Sequence, residues 1–294
     1  MTKRSLLASL VVCLLAGALP ALAQQISPPK VLQIFREEVK PGKGAAHEKM
    51  EAGWPRAFAN AKWPTHYLAM TSVSGPAEAW FTTGYDSLAA WEKDTWDVGK
   101  NATLTAELDR LSAADGELIN SGRSIVASFR EDMSYLTGNT APLGSMRYFY
   151  VTIVRVRPGH GSEYEEINKI VREAHQKANI PERWAVFEVN YGMPRGTFII
   201  FQPLKSLAEV DAFPQTHGKA FQDAIGEDGT KKLRELTGSA VLSAETNIFA
   251  FNSKMSYPAK EIVAADPEFW APKPKAPAKA AVAGKPEEKP AKKP

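Results

Sequence analysis

The chain repeats itself. Val39-Lys40-Pro41-Gly42-Lys43-Gly44 returns as Val156-Arg157-Pro158-Gly159-His160-Gly161. With Pro41 set on Pro158, the two stretches run without a gap from Val31/Tyr148 to Tyr85/Gln202. Along them Glu48 meets Glu165, Ala57 meets Ala174, Pro64 meets Pro181, Gly75 meets Gly192 and Phe81 meets Phe198. Ser87-Leu88-Ala89 then matches Ser206-Leu207-Ala208 after a two-residue shift. Both copies close alike, one with Phe129 and Met133-Ser134-Tyr135, the other with Phe251 and Met255-Ser256-Tyr257. A repeat of this length is a folding unit used twice, and it restricts the chain to two like bodies or one pseudo-symmetric body.

Each copy reads as the same series of elements. Val31–Val39 and Tyr148–Val156 are strand-like, and Pro-Gly-x-Gly breaks each of them. In the first copy Met50, Trp54, Ala57, Phe58 and Ala61 then recur at helical spacing; in the second Ile167, Ile170, Val171, Ala174 and Ala178 do. Second strands are predicted over 65–73 and 183–191, hairpin turns at Gly75 and Gly192, and third strands over 80–85 and 197–202. Ser87 and Ser206 are suited to cap a second helical region. Last strands are predicted over 123–133 and 246–255. The order is βαββαβ twice, an α+β fold of two tandem ferredoxin-like halves.

The ends are of another kind. Lys3 and Arg4, the apolar run 6–17 and Ala21-Leu22-Ala23 have the form of a cleavable export signal over residues 1–23, too short to span a bilayer. Cleavage near Gln24 would remove Cys13, the one cysteine, and with it thiol and iron–sulfur chemistry. Residues 271–294 hold seven Lys, six Pro and seven Ala, a composition that cannot bury a core. The whole chain carries +3; subtracting +2 for the signal and +5 for this tail leaves about −4 for residues 24–270. A mildly acidic body is not a nucleic-acid binder, while the basic tail suits anionic envelope material. The expected organisation is a signal (1–23), a first half (24–135), a linker (136–145), a second half (146–258) and a disordered tail (259–294). An exported, periplasmic or secreted protein with no transmembrane segment after cleavage follows.

A strand ending in Val-Lys/Arg-Pro-Gly-x-Gly before this series of elements resembles the dimeric α/β-barrel superfamily, which includes antibiotic-biosynthesis monooxygenases, haem-degrading monooxygenases and NIPSNAP-like proteins. The resemblance covers residues 31–257. It implies that the two halves pair their sheets into one intramolecular α/β barrel, with a ligand pocket between sheet and helices. It implies no single function.

Polar groups on that buried face are the candidates for chemistry. His175 lies opposite Phe58, on or beside the buried helix stripe, where an imidazole could act as acid/base or ligand. His217, after the start of the second copy's later helix, is in a region where related monooxygenases place a histidine. Trp184 and Tyr191 could shape a pocket around them, although strand aromatics more often fill a core. His66 starts a strand at a position that reads as polar and solvated. His47 and Glu51 stand four apart, as two ligands of a zinc helix do, but the second His of that motif is missing, and an exposed, Glu-rich helix start explains them. No metal site is expected, and no cofactor, with haem or a metal left open. Trp91 and Trp96 are expected to pack a helix onto its neighbours. The chain lacks a Gly-x-Ser-x-Gly elbow, a phosphate loop and a dinucleotide fingerprint. Three readings remain. The favoured one is a non-catalytic barrel that binds a small apolar ligand or serves as an envelope accessory module; the second is a cofactor-independent or haem-acting monooxygenase-like enzyme using His175 and His217; the third is an interaction protein acting through its tail. Unpaired sheet edges in a half-closed barrel would favour a homodimer.

Overall fold

The computed structural model describes residues 28–135, 142–213 and 217–271. The segment expected to be an export signal, most of the expected linker and the Lys/Pro/Ala tail lie outside the described residues.

The first half runs β1 (Val31–Val39), α1 (Gly44–Glu51), α2 (Gly53–Asn60), β2 (Tyr67–Ser72), β3 (Glu78–Tyr85), α3 (Leu88–Lys100), α4 (Ala102–Asp115) and β4 (Ile119–Phe129). The second runs β5 (Tyr148–Val156), α5 (Gly161–Lys177), β6 (Ala185–Tyr191), β7 (Thr197–Leu204), α6 (Ala208–Ala212), α7 (Gly218–Ala240) and β8 (Val241–Phe251). Two short helices follow, α8 (Lys260–Ala265) and α9 (Pro267–Trp270).

The strands form one closed ring in the order β1-β3-β2-β8-β5-β7-β6-β4. Each half contributes a four-stranded sheet of ferredoxin-like order, 4-1-3-2 and 8-5-7-6, and every pairing is antiparallel. The sheets join where β2 pairs with β8 and β4 with β6. This is the intramolecular α/β barrel that the family resemblance implies. Closure leaves no strand edge for a second chain, so a homodimer would have to use the outer surfaces.

The repeat extends to backbone detail. Gly42 and Gly159 take positive φ in the Pro-Gly turns, Gly75 and Gly192 do so in the hairpins, and even Lys62 and Asn179, non-glycines, share a φ near 50°. At Gly192 a side chain would strike Ser124 O at 2.1 Å, so both conformation and space require glycine. The register corrects one detail of the alignment. Glu38 pairs with Glu78, and its counterpart Arg155 pairs with Thr197. The two-residue shift therefore falls in the second hairpin, before β7, and Ala79, not Phe81, is the counterpart of Phe198.

The barrel interior is solid. Leu32, Ile34, Met70, Trp80, Ile125, Val151, Phe187, Ile199, Phe201 and Phe249 form one buried cluster drawn from all eight strands. At one end Arg36 lies over Trp80 and pairs with Glu78, which also accepts from Trp80 Nε1. At the other end α8 and α9 form a plug, with Ile262 and Trp270 buried among Met146, Phe251, Leu68 and Phe149. Trp270 Nε1 donates to Gly144 O, and Asp266 pairs with Arg147. The expected tail is thus ordered as far as Trp270, because Phe269 and Trp270 supply the apolar surface that the Lys/Pro/Ala run lacks.

The repeated Met-Ser-Tyr closures are a reciprocal clasp. Ser134, ending the first half, accepts from Val186 N–H in β6 of the second. Ser256, ending the second, accepts from Ala69 N–H in β2 of the first. Met133 is buried in the second half's sheet–helix cluster and Met255 in the first half's. Tyr135 bridges Trp184, and Tyr257 bridges Tyr67. Each half is finished by the other's last residues.

Candidate functional site

Three places between the sheet and its helical cover hold concentrated polar groups. The first is in the second half. His175, on the buried face of α5, uses Nδ1 toward Val171 O at 2.8 Å and turns Nε2 to Glu182 Oε2 at 3.5 Å. His217 Nδ1 meets the other oxygen of Glu182 at 2.6 Å. The two predicted histidines therefore converge on one carboxylate, which sequence reasoning did not single out. Burial pushes the Glu182 carboxyl up, but hydrogen bonding to the two imidazoles outweighs it and holds the group below its ordinary value. Trp184, Tyr135 and Phe221 pack around the His175 ring. Trp184 thus lies edge-on against the His175 ring. Tyr191 does not: it is 59% exposed at the far end of β6. A haem iron would need a free imidazole nitrogen. At His175 one nitrogen is bonded to the backbone, the other faces Glu182 and aromatic rings enclose the ring, so haem does not fit there.

The second place is a cavity of about 1370 Å³ beside the plugged mouth of the barrel, under α3. Trp63, Tyr67, Leu68, Tyr85 and Ile262 give it apolar walls, and Lys93, Asp97 and Lys100 lie on its α3 side. Asp94 braces it, accepting from Trp63 Nε1, Thr65 Oγ1 and Tyr85 O–H. His66 is part of this wall rather than solvated. Its ring lies 4.5 Å from that of Tyr257, and its Nδ1 is buried without a partner. The Tyr67 hydroxyl is likewise buried and unpartnered. Trp96, expected to pack, is instead 65% exposed on α3.

The third place lies behind Tyr67. The helix carrying His47 and Glu51 is not an exposed helix start: both side chains are buried. Glu37 projects outward from β1, and Asp115 ends α4. His47 Nε2 stands 2.8 Å from Glu37 Oε2 and 3.4 Å from Asp115 Oδ1. One donor atom from each of Glu37, His47, Glu51 and Asp115 lies within 4.8 Å of all the others. Burial, then repulsion from Glu37 and Asp115, pushes the Glu51 carboxyl up to about 9. Burial, then Glu37, raises Asp115. Tyr67 is raised by burial and by the charges of Glu51 and Glu37, so it stands between this cluster and the cavity. The signal that could have revealed the group was the repeat itself. Glu37 stands opposite Val154, His47 opposite Tyr164 and Glu51 opposite Asn168.

Among solved structures, the chain is similar to a candidate monooxygenase from Fusobacterium nucleatum (14% identity over 77% of this chain and 94% of that one, TM-score 0.49). It is also similar to an anthrone oxidase-like protein (16%, 81% and 96%, TM-score 0.49) and to a variant of chlorite dismutase from Candidatus Nitrospira defluvii (13%, 81% and 96%, TM-score 0.47). No family profile and no curated protein matches the chain. The strand order described above is itself that of the two-unit α/β barrel, and no helix of the described residues is long and apolar enough to cross a membrane.

Proposed function

We propose that this chain is an exported barrel protein that binds a small, largely apolar molecule in the cavity under α3 rather than inside the filled barrel. The observation that carries this reading is the pair of buried, unpartnered polar groups, His66 Nδ1 and the Tyr67 hydroxyl, on residues that line a large apolar cavity. Buried polar groups are nearly always satisfied, and binding sites combine apolar walls with a few polar groups that orient the ligand. A flat molecule carrying one or two oxygen functions suits Trp63, Tyr85 and Leu68 on its faces and His66 and Tyr67 at its polar edge. The Lys-rich tail would hold the exported protein near anionic envelope material.

The test is native mass spectrometry of the full chain isolated from its own host, compared with a Thr82→Trp variant that fills the cavity. A bound mass at one per chain, lost in the variant, supports the reading. A bare chain that also fails to bind anilinonaphthalene sulfonate, or equal binding by the variant, overturns it.

A catalytic reading draws on a separate observation, the convergence of His175 and His217 on Glu182. The carboxylate would hold the imidazoles in one orientation, so that one can take a proton from a bound phenol for a monooxygenase-like oxidation by O₂. Oxygen uptake with reduced polycyclic phenols, abolished by His217→Ala and slowed by Glu182→Gln, is the result expected. Uptake unchanged in both variants removes this reading.

A further inference from the structure

We propose that Glu37, His47, Glu51 and Asp115 form a buried site for one divalent transition-metal ion of the Mn²⁺, Fe²⁺ or Zn²⁺ class. Three elements converge on it. β1 supplies Glu37, α1 supplies His47 and Glu51 four residues apart on one face, and the end of α4 supplies Asp115. The donor atoms lie within 4.8 Å of one another. Metal–donor bonds of about 2.0–2.2 Å place donors roughly 3–4 Å apart, so a small contraction around an ion completes the site.

Charge argues the same way. Three carboxylates and an imidazole are gathered at residue exposures of 2–5%, and the charges acting on Glu51 and Asp115 are the other members of the group, with no Lys or Arg among them. Buried carboxylates are ordinarily paired or bound to a metal. Here Glu51 Oε1 and Asp115 Oδ1 make no hydrogen bond of good geometry, Trp54 Nε1 approaches Glu51 without completing one, and the Tyr67 hydroxyl has no partner. Tyr67 is not one of the four ligands, and its buried hydroxyl lies within electrostatic reach of Glu37 and Glu51.

The second half is the internal control. The same positions hold Val154, Tyr164, Asn168 and Thr237. The Tyr164 ring packs at a tilt against that of Phe198, centroids 4.7 Å apart, within an apolar cluster that includes Val154 and Val186. The fold closes this space with ordinary packing when it has no other use for it. In the first half Ala79 replaces the bulk of Phe198, and Glu37 is flanked across its two ladders by Ala79 and Gly122, which leaves room for the acidic group. One imidazole with three carboxylates is a borderline-to-hard donor set. It suits Mn²⁺, Fe²⁺ or Zn²⁺, whereas Ca²⁺ and Mg²⁺ favour oxygen alone.

The full chain, stripped with EDTA and dialysed, is loaded separately with MnCl₂, ZnCl₂ and CoCl₂. Bound metal is counted by elemental mass spectrometry, and the Co²⁺ form is examined by its visible spectrum. The expected result is one tightly held ion per chain, a mixed nitrogen–oxygen Co²⁺ spectrum and a raised melting temperature. Replacing the site by the second half's own residues (Glu37→Val, His47→Tyr, Glu51→Asn, Asp115→Thr, with Ala79→Phe) is expected to abolish uptake and keep the fold. Glu51→Gln alone, which preserves volume, is expected to weaken binding at least as much as the ~10–100-fold cost of an outer-shell loss. His175→Ala is expected to bind metal normally. No tight uptake by the stripped chain, uptake unchanged in Glu51→Gln, or loss of uptake in His175→Ala would each overturn the assignment.

Discussion

The two halves share strand order, hairpin glycines and closing clasp, yet the same space beneath their helices is filled in opposite ways. In the second half Val154, Tyr164, Phe198 and Trp184 make an oily seal. In the first, the matching positions carry Glu37, His47, Ala79 and Tyr67, joined by Glu51 and Asp115. The exchange runs the other way further along the helical cover, at Phe58 of α2 and His175 of α5. Phe58 stacks on Tyr257 and meets Tyr67 edge-on in the first half, and His175 takes its place against Trp184 and Tyr135 in the second. The framework is thus indifferent to what occupies these spaces. Neither polar group is required by the strand order the halves share, and each half carries a different one.

That contrast can be broken most forcefully by moving a charge across. Val154→Glu would put a lone carboxylate into the second half's apolar cluster. It is expected to lower stability by about 3–5 kcal/mol, the range for an uncompensated buried charge, whereas Glu37→Val is expected to leave the metal-free protein as stable or more so. Thermal melts of the two variants decide it, and equal losses would contradict the comparison. The clasp should respond symmetrically. Ser134→Ala and Ser256→Ala each leave a buried strand N–H without an acceptor and are each expected to lower stability by about 1–3 kcal/mol in urea titrations. A large difference between the two would show that one clasp dominates.

A smaller effect should appear only in acid. Glu182 titrates lower in the folded chain than in the unfolded one, so the stability it adds is present above its ordinary value of 4.5 and is lost as pH falls through its folded value. Glu182→Gln should flatten that part of the acid unfolding curve and leave its neutral part unchanged in slope. Smallest of all, Trp96→Ser on the exposed face of α3 should change stability by no more than about 0.5 kcal/mol. A larger loss in a melt would mean that a partner covers this face.

Much of the scaffold was legible because repetition amplifies weak signals. Pro41-Gly42 and Pro158-Gly159 mark the same left-handed turn, and Met-Ser-Tyr marks the same clasp, although its role across the halves needed three dimensions. The hairpin shift before β7 was misplaced because Phe81 and Phe198 matched by chance of residue type, while the ladder pairs Ala79 with Phe198's position. His175 was found because the repeat sets it opposite Phe58 on the buried helix stripe, and His217 through the family resemblance; their shared partner Glu182 was one acid among many. The four-membered cluster was missed because Glu37 and Asp115 are distant in sequence, and a His and a Glu four apart look like any solvated helix start. Order in α8 and α9 was missed because a biased tail hid the aromatic pair Phe269-Trp270 at its edge.

Ring closure also has a temporal meaning. Met70 of β2 pairs with Phe251 of the last strand, β8, so this seam cannot zip until nearly all of the folded body is available. During synthesis the first half emerges with both outer strands, β2 and β4, unsatisfied and with Met255 still to come. Such long-range pairing is slow, and open strands invite the wrong neighbour, including the matching strand of another nascent copy. A duplicated barrel of this kind therefore escapes exchange between chains by keeping its two halves tethered, so that the correct partner is always the nearest one.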